Sequence, residues 1–89
     1  MKQATITVTN EVGLHARPAA TFVKSAAGFE SDITIANLTR SGDPVNAKSV
    51  VSVFKAAVAQ NHEVQLSAEG PDEDEAIATL VELIESFAE

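Results

Sequence analysis

The sequence predicts an α+β fold in which helices cover one face of an antiparallel sheet, in the element order β-α-β-β-α-β-α. Two kinds of pattern lead to this prediction. Apolar and polar residues alternate in the stretches that we interpret as half-buried strands, and three other stretches carry apolar residues at helical spacing. Since each helix and each strand has one apolar face, helices stacked on a single face of the sheet would bury all of them.

The alternating pattern predicts three strands and a weaker fourth. The alternating core residues are Ile6 and Val8 in the first strand, Ile33 and Ile35 in the second, and Val64, Leu66 and Ala68 in the last. A short additional strand around Val45 has a weaker signal, because residues 39–44 before it have the composition of a turn and leave only a few residues for the strand.

The first two helices are predicted from apolar spacing and from their end signals. Pro18 suits the first turn of the first helix and Gly28 ends it. Asn46 is the expected N-cap of the second helix, which we expect to be shorter or more irregular than its apolar spacing suggests, and Asn61 can end it. The apolar positions are Ala19, Phe22, Val23 and Ala26 in the first helix, and Ala47, Val50, Val51, Phe54 and Val58 in the second.

The third helix has the most regular apolar stripe. Asp72 is its expected N-cap, with Glu75 three residues later as a variant of the capping box. The acidic residues of its first turn also complement the helix dipole. The stripe consists of Ile77, Leu80, Val81, Ile84, Phe87 and Ala88.

Length and composition limit what the protein can be. With 89 residues, the chain suffices for one modest core, so we expect a single domain over residues 1–89. Thirteen acidic side chains against six basic ones give a net charge of -7, which disfavours binding to nucleic acid or to anionic membranes. The chain has no cysteine and no apolar run typical of a signal peptide or a membrane span, so we expect a cytoplasmic protein without membrane insertion.

His15 is the residue whose position suggests chemistry. It falls between the first strand and the first helix, beside the N-cap, because Pro18 is pre-organised for the first turn. Unpaired N–H groups around Ala16 and the positive end of the helix dipole favour a dianion attached to the ring. Arg17 adds a guanidinium that matches phosphate oxygens. On these grounds, a nucleophilic imidazole that becomes a phosphoramidate and an ordinary exposed histidine both remain open.

Other site chemistries fit less well. His15 and His62 are far apart in a chain without cysteine, so no metal site is expected. The sequence has no G-x-S-x-G elbow, and the acidic run 72–75 lacks the ligand spacing of an EF-hand. An acyl carrier would need Asp-Ser-Leu around its serine, whereas Ser49 lies in Lys-Ser-Val.

Residues 13–19, Gly-Leu-His-Ala-Arg-Pro-Ala, resemble the active-site signature of HPr, the histidine-containing phosphocarrier family of the bacterial phosphoenolpyruvate:sugar phosphotransferase system. The similarity continues in residues 22–23, 47–49 and 66–70. It implies an open-faced β-sandwich, in which a four-stranded antiparallel sheet carries three helices on one side. Two departures stand out: residues 37–46 form a longer stretch than in familiar members, and glycines are frequent in the family at positions 57 and 61.

The resemblance implies a function for His15. The imidazole would accept a phosphoryl group on Nδ1 from phosphorylated Enzyme I and pass it to the IIA component of a sugar permease, assisted by Arg17. Such a protein is a covalent intermediate of a relay, without a bound cofactor and without turnover of its own, and we expect it to be a monomer. The alternative is a non-catalytic HPr-like module that acts through protein contacts alone, against which the intact His15 argues.

Two further sites are implied by the same resemblance. Ser49 matches the residue that an HPr kinase/phosphorylase phosphorylates in many Gram-positive lineages. Hydrogen bonds to nearby backbone groups would also be enough to explain a serine in a first helical turn.

Lys24 and Lys48 are candidates for a basic rim that steers an acidic partner. Some apolar side chains of the second helix cannot face inward and would stay exposed. The implied docking surface for Enzyme I and IIA consists of Ala20, Val50, Val51 and Phe54.

Overall fold

The computed structural model describes residues 1–10, 13–14 and 16–87, with no side-chain description for Ala16. It has the predicted order of elements, with a short 3₁₀ helix added between the second and third strands. The strands are β1 (Lys2–Val8), β2 (Asp32–Asn37), β3 (Val45–Asn46) and β4 (His62–Glu69). The helices are α1 (Ala16–Ala27), α2 (Val50–Lys55) and α3 (Glu73–Ser86), and the 3₁₀ helix is Leu38–Arg40.

The four strands form one antiparallel sheet in the order β1-β4-β2-β3. The register places Val8 of β1 opposite His62, and Asn37 of β2 opposite Val64. The end of β1, the end of β2 and the start of β4 therefore meet at the same end of the sheet. The chain leaves β1 at this end on its way to α1.

One hydrophobic core lies between the sheet and the three helices. Alternate residues of β4 are buried, as the period of a strand requires, while the opposite face of the sheet carries polar side chains such as Gln3, whose Nε2 donates to Ser67 Oγ (3.2 Å). Burying each large aliphatic or aromatic side chain contributes about 1.5–3 kcal/mol. The largest fully buried apolar residues are Val8, Leu14, Phe22, Ile35, Val53, Val58, Val64, Leu66, Leu80 and Ile84. The predicted α+β fold, an open-faced sandwich, is confirmed.

Helix α2 differs from the prediction at both ends. It begins at Val50 with Ser49 as its N-cap, whose Oγ accepts a hydrogen bond from the Ser52 N–H (3.3 Å). Asn46 is not the N-cap, because it pairs with Thr34 in the sheet and is held there in an extended conformation. The helix ends at Lys55 after six residues, well before Asn61. The expectation of a short helix is correct, and both predicted end residues are wrong.

The buried face of α2 also differs from the predicted apolar stripe. Val53 is the fully buried residue of this helix, whereas Val50, Val51 and Phe54 are 37%, 61% and 39% exposed. The residue of α2 that faces the core is therefore its fourth, Val53, which is not part of the predicted stripe. The expectation that some apolar surface of this helix stays exposed is confirmed.

The start of α3 has the predicted N-cap residue in a different role. Asp72 makes no capping hydrogen bond to its own helix. Its carboxylate instead accepts from the backbone N–H groups of Glu30 and Ser31 (both 2.9 Å) and from the Ser31 hydroxyl. The residue that reaches back to the helix start is Glu73, whose Oε1 accepts from the Gly70 N–H (3.2 Å), so the capping box predicted with Glu75 is wrong. Ala88 of the predicted stripe lies outside the described residues.

Candidate functional site at the start of helix α1

The predicted site centres on His15, which lies outside the described residues; the chain on either side of it is described. Helix α1 begins at Ala16 and runs for twelve residues to Ala27, before Gly28, as predicted. Pro18 is half-buried in its first turn, and no acidic residue is present in that turn. The positive end of the helix dipole is therefore not neutralised by a carboxylate of its own first turn.

Gly13 and Leu14, the two residues before His15, are held by backbone contacts. The Gly13 N–H donates to the Asn10 carbonyl (3.1 Å), and the Asn10 side-chain Nδ2 donates back to the Gly13 carbonyl (2.8 Å). The Leu14 N–H donates to the carbonyl of Val58 (3.0 Å), while the Leu14 side chain is fully buried. These bonds fix the path of the chain into α1.

Gly13 is required by this path for two reasons. Its φ of 59° lies in the left-handed region that glycine adopts without steric strain. A Cβ at this position would also lie only 2.7 Å from the Cα of Ala59, in a contact with backbone that a side-chain rotation cannot relieve. The loop that contains Gly13 and the segment around Val58 therefore pack backbone against backbone.

Three predicted site residues share one exposed face of α1. Arg17, Ala20 and Lys24 follow one another at spacings of three and four residues, which places them on the same side of a helix. All three are exposed. The guanidinium predicted to assist at His15 and one of the two predicted rim lysines thus lie on the same surface.

The second predicted lysine has a different environment. Lys48 is half-buried, and its Nζ donates to the carbonyl of Phe29 (2.8 Å), just after the end of α1. Lys24 is exposed on α1. The two lysines are therefore not equivalent members of a solvated basic rim.

The predicted docking residues on α2 form an exposed apolar surface. We call Val50, Val51 and Phe54 the apolar patch. Helix α2 packs against α1, and Ser49, half-buried at its N-cap, adjoins the patch in sequence. Exposed large apolar residues grouped on one short helix are typical of a surface that contacts a partner.

Reasoning from the sequence missed several residues around the site. His62 is half-buried, and its Nδ1 accepts from the Ala59 N–H (3.1 Å) and lies 3.0 Å from Asn37 Nδ2. The role of Asn10 had a signal in the sequence, since an asparagine directly after a strand often forms a local turn with its own side chain. The burial of Asn37 had no local signal, because it depends on contacts with residues that are distant in sequence.

Within residues 1–10, 13–14 and 16–87, no three His, Asp or Glu side chains lie close enough together to hold a metal ion. No helix in the described part of the chain is both long enough and apolar enough to cross a bilayer.

Comparison with known proteins shows similarity over nearly the whole chain. The family model of the PTS HPr component phosphorylation site matches residues 2–86. The chain is 47% identical over 77 residues to the multiphosphoryl transfer protein of Vibrio cholerae, which is 86% of this chain and 19% of that protein. It is 45% identical over 76 residues to the multiphosphoryl transfer protein of Haemophilus influenzae, which is 85% of this chain and 15% of that protein. The chain thus spans about a fifth or less of the length of these relatives.

A solved structure agrees in fold as well as in sequence. The crystal structure of HPr-C-His from Thermoanaerobacter tengcongensis has a TM-score of 0.93 to this structure and 50% sequence identity. The match covers 100% of this chain and 98% of that chain.

Proposed function

We propose the following role for this chain, which belongs to the HPr family of the phosphoenolpyruvate:sugar phosphotransferase system: it accepts a phosphoryl group from phosphorylated Enzyme I on His15 and passes it to a IIA component during sugar uptake. The observation that carries the proposal is the signature at residues 13–19, which lies within a family match that extends over residues 2–86. The protein is then a covalent intermediate in a relay, with no cofactor.

The transfer itself requires little besides a placed nucleophile. The lone pair of His15 Nδ1 attacks the phosphorus, a new N–P bond forms, and the bond between phosphorus and its donor atom breaks with the electron pair remaining on the donor. Transfer to IIA runs the same way, with His15 as the donor. No oxidant, reductant or metal enters the balance.

Helix α1 supports the phosphorylated state electrostatically. Its first N–H groups, beginning at Ala16, have no partner within the helix and can donate to phosphoryl oxygens. Pro18 has the backbone angle of a first turn already set, so this end is pre-organised. Arg17 contributes a guanidinium that can bind two oxygens of the phosphoryl group.

We propose that Enzyme I and IIA dock on the apolar patch together with Ala20 of α1. Val51 is 61% exposed, so a partner that covers it removes most of an aliphatic side chain from water. Arg17 and Lys24 share the exposed face of α1 with Ala20, on a chain of net charge -7. They would orient an acidic partner. The Lys48 ammonium, already bound to the Phe29 carbonyl, would contribute charge without first having to be ordered.

We propose Ser49 as a regulatory phosphorylation site for an HPr kinase/phosphorylase. A phosphate on its Oγ would lie at the edge of the apolar patch. A docking partner would have to desolvate this dianion, which is costly unless the partner supplies a matching positive charge. Phosphorylation at Ser49 would therefore weaken docking more than it would disturb the fold.

We further propose that residues 1–89 form a single domain and that the protein acts as a cytoplasmic monomer. Light scattering would test the oligomeric state against the chain mass of 9.3 kDa.

The phosphorylation proposal is tested by mass spectrometry after incubation with phosphoenolpyruvate and Enzyme I. We expect the wild-type protein to gain one acid-labile phosphoryl group, located at His15 by peptide fragmentation, and His15→Ala to gain none. A phosphoryl group that persists in His15→Ala would contradict the assignment. An unmodified wild-type protein would favour the non-catalytic HPr-like module instead.

A further inference from the structure

Residues 57–61, which we call the 57–61 turn, connect α2 to β4 in a conformation that needs external support. Ala57 and Asn61 both have positive φ values, 53° and 69°. Asparagine tolerates this left-handed conformation, but for alanine it is sterically unfavourable. The glycines frequent in the family at these two positions would adopt it freely. In this chain, other contacts must therefore hold the turn.

The side chains of Asn37 and His62 supply such contacts. Asn37 is 1% exposed, and its Nδ2 donates to the carbonyl of Ala56 (2.9 Å), directly before the turn, and to the carbonyl of Ala57 (3.4 Å), within it. The same Nδ2 lies 3.0 Å from His62 Nδ1. The same ring nitrogen accepts from the Ala59 N–H (3.1 Å). Each side chain thus bonds the backbone of the segment and also contacts the other side chain.

The contacts define the state of the His62 ring. A backbone N–H can only donate, so Nδ1 must present a lone pair to Ala59, and the neutral ring carries its proton on Nε2. The Asn37 amide is oriented independently, because its Oδ1 accepts from the Arg40 N–H (3.4 Å). Nδ2 of Asn37 is therefore the donor that faces His62.

The 57–61 turn is the support against which the chain before His15 packs. The carbonyl of Val58 accepts the Leu14 N–H (3.0 Å), and the backbone at Ala59 leaves no space for a Cβ on Gly13. Leu14 is the residue immediately before His15 in the chain. Movement of the turn would thus move the backbone that leads into the site.

We propose that Asn37 and His62 are positioning residues for phosphoryl transfer, acting through the 57–61 turn on the backbone immediately before His15. The proposal rests on the proposed function of His15. Loss of the ring acceptor leaves the Ala59 N–H and one Asn37 proton without their partner, which loosens the turn. Reaction geometry is sensitive to displacements of about 1 Å, so a looser support slows transfer.

The test compares three variants on or beside this contact. His62→Leu removes the acceptor, and His62→Asn retains a side-chain oxygen that can reach the position of Nδ1. Gln65→Leu is the matched control. It also introduces a leucine at a half-buried position of the same strand, but on the opposite face of the sheet from His62. Amide hydrogen exchange of Leu14 and the kcat and KM of Enzyme I for each protein are measured.

In His62→Leu, we expect Leu14 exchange about tenfold faster and kcat about tenfold lower, with KM changed less than about twofold. His62→Asn should recover most of both, and Gln65→Leu should match the wild type. Nitrogen NMR of the wild-type ring at neutral pH, which needs no variant, should show the proton on Nε2.

Several results would overturn the proposal. One is a ring proton on Nδ1 in the wild-type protein, and another is an unchanged Leu14 exchange rate in His62→Leu. Faster exchange with an unchanged kcat would show that the turn does not position the reaction. An equal effect of Gln65→Leu would make it a general loss of stability. If wild-type protein accepted no phosphoryl group, the proposed function would fail as well, whereas these results on a phosphorylated protein reject the positioning role alone.

Discussion

Replacing Gly13 by alanine tests most directly how Gly13 and Leu14 pack against the 57–61 turn. The added methyl group would enter the backbone of the 57–61 turn, 2.7 Å from the Ala59 Cα and 2.8 Å from the carbonyl carbon of Val58. Backbone atoms cannot rotate away as a flexible side chain can. The loop and the turn would have to separate, and the hydrogen bond from the Leu14 N–H to the Val58 carbonyl joins them.

The expected loss has two parts. Holding alanine at a φ of 59° costs roughly 1–2 kcal/mol. Opening the bond between Leu14 and Val58 costs roughly 1–3 kcal/mol if its groups stay buried without partners. We expect Gly13→Ala to lower the free energy of unfolding by about 2–5 kcal/mol, and the Tm by at least about 8 °C for a domain of this size.

Urea and thermal unfolding measure this loss, with Gly42→Ala as the control. At Gly42 a Cβ would meet nothing closer than 3.6 Å, and its φ is not positive, so we expect a change within about 0.5 kcal/mol. A Gly13→Ala protein as stable as Gly42→Ala would refute the close approach of the two backbones. Faster amide exchange at Leu14 should accompany the loss.

Two other predictions concern charge. Hydrogen bonds from the Ser31 hydroxyl, and to a lesser extent from the Glu30 N–H, hold the pKa of Asp72 below its ordinary value of 3.8. The ionised carboxylate therefore stabilises the folded state fully above that value, and this contribution is lost as the pH falls through the lower pKa of the folded protein. Asp72→Asn should therefore unfold more easily than wild type in urea at neutral pH, with a difference that shrinks in acid; a difference independent of pH would contradict this. Ser49→Asp keeps a good N-cap, so its circular dichroism and melting should match wild type, while the second-order rate of transfer from Enzyme I should fall about tenfold. An unchanged rate over a range of concentrations would remove Ser49 from the docking surface.

Most of the elements could be predicted because their signals are local. In α1, the spacing of Ala19, Phe22 and Ala26 and the stop at Gly28 depend only on neighbours within a few turns, and the structure buries the three apolar residues as expected. The strands alternate with a period of two over short stretches, which likewise needs no distant partner. The roles predicted for His15 and Arg17 remain predictions.

Helix α2 shows where local signals fail. Asn46 is a good N-cap by residue type, but pairing with Thr34 in the sheet takes it into β3, and Ser49 caps the helix instead. Thr34 belongs to a different strand, so the residues next to Asn46 in sequence do not reveal this pairing. How the helix packs against the rest of the fold also decides which of its residues reach the core: Val53 is buried and the apolar patch is exposed.

By itself, the sequence determined the α+β class, the order of the elements, and the family to which residues 13–19 point, because periodicity and a short motif are properties of neighbouring residues. Only the tertiary structure decided which groups bond across the fold. It placed the Asp72 carboxylate on the backbone of Ser31 instead of on its own helix, and it buried Asn37 against His62 beneath the turn that supports Leu14. A buried polar group takes the partner that folding brings within reach, and that partner depends on how strands and helices pack rather than on distance along the chain.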